Sequence, residues 1–122
     1  MPSAFFPTPQ PLKPISTVFD LKDRLDWGEP ALTIIDVRSR CLFNEKRILG
    51  AISMPVDELV ARVSVSLERD RDIYVYGETN EVTSSAATQL RDVGYQKVAE
   101  LMGGIGAWQA ISGPIEGTLA VS

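Results

Sequence analysis

The chain of 122 residues contains no histidine. The usual neutral-pH proton shuttle and the commonest metal ligand are therefore missing. That excludes a histidine-bound zinc site and any Ser–His or Cys–His nucleophile pair within this chain, and no metal or cofactor is expected. Cysteine is almost absent as well. Cys41 stands alone, so an internal disulfide is impossible and a reducing, cytoplasmic setting is expected. No apolar run approaches the ~20 residues that cross a bilayer, so membrane insertion is not expected. The N-terminus, MPSAFFPTPQPLKPIS, lacks the basic region and apolar stretch of a secretory signal. Positive charge is not in excess either: 12 basic against 16 acidic side chains give −4, which argues against nucleic acid or an anionic membrane as partner.

What is present suits one globular domain. Hydrophobic residues make up 44% and charged residues 23% of the chain, ordinary for a soluble fold with a real core. Five of the eight prolines fall in the first 14 residues, so residues 1–15 read as an extended arm. Phe5 and Phe6 are candidates to dock it, the alternative being a loose terminus. Residues 16–111 form the expected domain and 112–122 a tail. The initial Met1 is read as a native start.

Ser16 is the expected N-cap of a helix over TVFDLKDRLDWG, with Val18, Leu21, Leu25 and Phe19 as its apolar stripe. Gly28 and Pro30 close it. ALTIIDV (31–37) is short, apolar and β-branched, the pattern of a strand buried on both faces. RSRCLFNEKR is a loop or short helix. AISMPV gives a second strand, and VDELVARVSVSL a helix with Val56, Leu59, Val60, Val63 and Leu67 on one side. DIYVY is the third strand, followed by a helix from Val82 to Val93 that ends at Gly94. KVAEL is a fourth strand, and GGIGAWQAI opens a last turn or helix. The tail, SGPIEGTLAVS, has no clear period. Strand and helix alternate with short connections, which calls for a parallel sheet with right-handed crossovers.

Three segments carry a family resemblance. They are IIDVR (34–38), KRILGAISMPV (46–56) and DIYVYGETNEVTSSAATQLRDVGYQKVAELMGGIGAW (72–108). In this order and spacing they resemble the rhodanese-like (sulfurtransferase) domain. Gly50, Ala51 and Pro55 keep the family's second motif, while Lys46, Arg47 and Leu49 depart from it. The resemblance implies an α/β fold with a roughly five-stranded, mostly parallel sheet flanked by helices on both faces. It also places the family's nucleophilic cysteine at Gly77 and its loop-closing arginine at Val82. The five-residue separation matches the sulfurtransferase loop. Asp36 and Arg38 match a pair that braces this loop.

Glycine offers no sulfur, so no catalytic residue is expected in the loop. Glu78 and Glu81 add negative charge where a thiolate and an anionic donor need cations. Thr79, Thr83, Ser84 and Ser85 carry hydroxyls with no base close in sequence. Asn80 or Thr83 is expected to cap the following helix. Cys41 is the one possible displaced thiol, with Arg38, Arg40, Lys46 or Arg47 to lower its pKa; a small hydrophobic role is the plainer reading. Trp27 and Trp108 read as core or helix-packing residues. The leading expectation is a non-catalytic rhodanese-like module that binds another protein through Gly77, Glu78, Thr79, Asn80, Glu81, Val82 and Thr83 together with the segment 38–47. The alternatives are a sulfurtransferase using Cys41 or a partner's thiol, and a small-ligand sensor built on the loop amides. Oligomeric state is not readable.

Overall fold

Strands buried on both faces need a core on each side, and the alternation of side chains supplies both. A computed structural model describes residues 12–28 and 31–118; Phe5, Phe6 and Pro30 lie outside them. The main sheet is built from β1 (Ile15–Ser16), β2 (Leu32–Asp36), β4 (Ile52–Ser53), β5 (Asp72–Tyr76) and β6 (Val98–Leu101). Its order is β1-β6-β5-β2-β4, with every pairing parallel. Ile35, Val37, Ile73, Val75 and Val98 point to one side. There they meet Leu59 and Val63 of α3 (Leu59–Ser66) and Ala86, Ala87 and Leu90 of α4 (Asn80–Asp92). Ile34, Tyr74, Tyr76, Ala99 and Leu101 point the other way. They meet Val18 and Leu21 of α1 (Val18–Asp26) and Trp108 of α5 (Gly104–Ala110). The five parallel strands and two helical layers match the expected architecture.

Helix ends follow local chemistry, and two differ from expectation. Ser16 does not cap α1. Its backbone belongs to β1, where its carbonyl accepts the Met102 amide at 2.9 Å, and its hydroxyl donates to the Lys13 carbonyl. Thr17 is the cap. Its hydroxyl accepts from the Asp20 amide while Asp20 accepts from the Thr17 amide at 2.8 Å, a reciprocal capping box. Ile15, assigned to the arm by its neighbours, is likewise part of the sheet edge. Helix α4 starts two residues before Val82, because the Thr79 hydroxyl accepts the Val82 amide. It stops at Gly94, whose φ of +102° suits only glycine without strain.

Trp27 and Trp108, both expected to pack, part company. Trp108 is fully buried and donates its indole N–H to the Pro114 carbonyl at 2.8 Å. Trp27 ends α1 on the surface, 81% exposed, as is Phe19 on the helix's outer side. An added Cβ at Gly113 would lie 2.3 Å from the Trp108 ring, so only glycine lets the chain pass over the indole. The tail, which showed no period, then forms β7 (Ile115–Glu116), antiparallel to β3 (Arg47–Ile48). RSRCLFNEKR resolves as the short helix α2 (Arg40–Glu45).

The capping box gives a pH signature. The Thr17 amide, and after it Lys13, hold the Asp20 carboxyl below its ordinary value. A depressed folded pKa means the contribution is complete above the unfolded value of about 3.9 and is lost as pH falls through the folded one. Urea melts of wild type and Asp20→Asn are therefore expected to differ near neutrality and to converge as pH falls through the lowered folded-state value of Asp20. A stability gap independent of pH would show that the charge of Asp20 is irrelevant.

Candidate functional site

In an open parallel sheet, side chains and loops gather for function at the carboxyl ends of the strands. Here β2 ends in Asp36 and β5 ends in Tyr76, and these two neighbours in register face the same side. Asp36 is fully buried and Arg38 is 7% exposed. The Asp36 carboxylate accepts from the Arg38 amide (2.9 Å), from Arg38 Nε (3.1 Å) and Nη2 (2.7 Å), and from the Tyr76 hydroxyl (2.7 Å). Arg38 also donates to the Lys46 carbonyl at 2.6 Å, and the Tyr76 oxygen accepts the Ile48 amide at 3.2 Å. Burial pulls the Arg38 guanidinium down, but the hydrogen bonds and charge of Asp36 more than offset this and raise it. Burial, then the charge of Asp36, pushes the Tyr76 phenol upward, so it remains a donor.

The loop begins one residue later, and its geometry is set by short polar contacts. The Gly77 amide donates to the Thr83 hydroxyl at 2.8 Å, which in turn donates to the Thr79 carbonyl at 3.0 Å. The Asn80 side chain accepts the Gly103 amide at 3.1 Å, tying the loop to the turn after β6. Neither Asn80 nor Thr83 is the helix cap; both are used elsewhere, and Thr79 takes that role. Among the described residues the amides of Glu78, Thr79, Asn80 and Glu81 have no acceptor within the chain. Glu78 and Glu81 are exposed and have no ion-pair partner among the described residues.

Gly77 is buried, and the space beside it is filled. A Cβ built there would sit 2.9 Å from Val82 Cγ1 and 3.2 Å from Val37 Cγ2. Sequence spacing alone gave no sign of this. Val82 is only half-hidden, yet one methyl occupies the room a side chain at 77 would need. Gly104 completes the crowding: its own added Cβ would stand 3.1 Å from the Gly77 carbonyl.

Cys41 lies on α2, exposed, away from the loop in sequence but also on the segment that follows β2. Three of the four cations considered for it are engaged elsewhere. Arg38 serves Asp36, Arg40 makes a two-pronged pair with Glu58 at 2.6 and 2.8 Å, and Arg47 pairs with Glu116 and lies over the Phe43 ring. No group of three or more potential metal ligands occurs among the described residues. No helix among them is long and apolar enough to cross a membrane.

A five-stranded parallel α/β domain with a buried Asp–Arg–Tyr network at its strand ends, next to a loop that leads into a helix, defines a class, and comparison with known proteins gives the class its name. A family profile described as "Rhodanese-like domain" matches residues 17–111, and the chain belongs to that family. A sulfurtransferase of Allochromatium vinosum is 30% identical over 95 residues, 78% of this chain and 87% of that protein. The solution structure of the rhodanese-like domain of the Alr3790 protein from Anabaena sp. is 52% identical, with a TM-score of 0.86, covering 89% of this chain and 83% of that one. The thiosulfate sulfurtransferase of Pseudomonas aeruginosa superposes with a TM-score of 0.78 at 28% identity, over 86% of this chain and 20% of that one.

Two substitutions test the site's construction. Gly77→Cys is expected to destabilise the domain by about 1–3 kcal/mol through overpacking. In a Val82→Ala background the same change is expected to cost less, and a double-mutant cycle measures the difference. Strict additivity would mean that Val82 does not fill the position. Asp36→Asn leaves Arg38 buried beside a neutral amide, and chemical denaturation is expected to register a loss of about 3–5 kcal/mol; a loss below 1 kcal/mol would remove the network from its anchoring role.

Proposed function

We propose that this chain is a non-catalytic rhodanese-like domain that recognises another protein through residues 77–83. The observation that carries the reading is the Val82 methyl 2.9 Å from where a side-chain carbon at Gly77 would stand. A sulfur nucleophile at this position lacks both an atom and a place. The electrostatics agree. Glu78 and Glu81 stand at the mouth, and the nearby arginines neutralise carboxylates of the fold instead of an incoming anion. Asp36 and Arg38 keep their proposed role as braces of the loop, acting through Tyr76.

The sulfurtransferase name of the Allochromatium vinosum relative favours a second reading, with exposed Cys41 as the working thiol. In that chemistry a thiolate attacks the outer sulfur of thiosulfate, the sulfur–sulfur bond breaks and sulfite leaves. Cyanide then removes the sulfur as thiocyanate and regenerates the thiolate. The same assay separates the two readings. Wild type and Cys41→Ser are expected to release thiocyanate at the same background rate, and Gly77→Cys is expected to gain activity only when combined with Val82→Ala. Turnover by wild type at an enzyme-like rate that disappears in Cys41→Ser would overturn the non-catalytic reading.

A further inference from the structure

The sheet order places three exposed apolar side chains along one rim. Phe19 follows β1, Met102 follows β6 and Val82 follows β5, which are consecutive strands of the sheet. Phe19 is 61%, Met102 40% and Val82 36% exposed. The rim is continuous in backbone terms. Met102 donates to the Ser16 carbonyl, one residue before the α1 cap, and its neighbour Gly103 donates to Asn80. Apolar side chains grouped at the functional end of a sheet, with polar residues around them, mark an interaction surface.

Charge decides what kind of partner fits. Glu78 and Glu81 lie between Val82 and the end of β5, without a cation among the described residues. Arg38 is spent on Asp36, Arg40 on Glu58 and Lys13 on Asp20, and Lys46, on the segment after α2, makes no ion pair with Glu78 or Glu81. An acidic segment docking here would meet the repulsion of Glu78 and Glu81, whereas a basic one would find both as partners beside its apolar anchor. We infer that the rim formed by Phe19, Met102 and Val82 receives a protein segment in which an apolar side chain is flanked by lysine or arginine. This rests on the loop-recognition reading above and names the chemistry of its partner.

The test uses the full chain, isotope-labelled, with two amidated and acetylated peptides as probes. One reads Lys-Arg-Leu-Phe-Lys-Arg and the other Glu-Asp-Leu-Phe-Glu-Asp. The basic peptide is expected to shift the backbone signals of residues 78–82 and 102–103 saturably, and the acidic one to leave them in place. Glu78→Lys/Glu81→Lys is expected to weaken the basic peptide by about tenfold, and added salt to weaken it further. Met102→Ser, which leaves the charges intact, is expected to weaken it without changing the salt dependence. Shifts confined to other faces, equal binding of both peptides, or no loop response to either at millimolar concentration would each overturn the inference. Loop binding by the acidic peptide alone would overturn it while leaving loop recognition standing. Cys41-dependent thiosulfate turnover would instead remove the reading on which it rests.

Discussion

The strand ends on which the candidate site stands are tied together by the Asp36 carboxylate. It sits at the last position of β2, fully buried, and collects the Arg38 amide, the Arg38 guanidinium and the Tyr76 hydroxyl. Each donor carries a piece of chain with it. Arg38 pins the Lys46 carbonyl, Tyr76 pins the Ile48 amide, and Tyr76 is joined directly to Gly77. A buried ion pair is a weak source of net stability, because desolvation consumes most of its attraction. Its value is geometric. With each oxygen of Asp36 occupied, β2, β5 and the segment entering β3 have one arrangement that satisfies all partners. That arrangement fixes the start of the loop.

The loop itself is held by a different set of small polar side chains. Thr79 caps α4, Thr83 receives the Gly77 amide, and Asn80 reaches the turn at Gly103. None of these contacts requires a thiol or an arginine in the loop. The scaffold and the loop thus rest on separate contacts, and the loop has a defined shape with glycine at position 77. Val82 contributes to that definition by filling the space beside Gly77. Unlike an empty pocket, a filled one presents a firm surface.

Much of this was legible in the chain. Short β-branched runs alternating with helical stripes gave the parallel sheet, since burial on both faces leaves a strand no polar side. The motif around Asp36 and Arg38 and the register of Gly77 came from the family resemblance. Other features lay beyond a linear reading. Ser16 and Thr17 are equally good caps by residue type, and the choice between them is made by the Ser16 carbonyl, which β6 claims. Trp27 and Trp108 look alike in sequence, and only the crossing of α5 over the sheet buries one of them. The contact of Val82 with Gly77 depends on where Thr79 starts the helix. The pairing of β7 with β3 joins two-residue strands, too short to carry a period.

The edge pairing of Ile15 with Glu100 has a consequence for how the molecule assembles. Among the described residues β1 docks beside β6, far along the chain, and β7 likewise returns to β3. Strand β4 pairs with β2, and β6 with β5, over short separations in the chain, whereas the β1 border closes only when β6 is present. Loop closure over such distances is entropically slow. The β1 edge, from which the chain leads to Phe19, thus depends on the longest-range pairing of the main sheet.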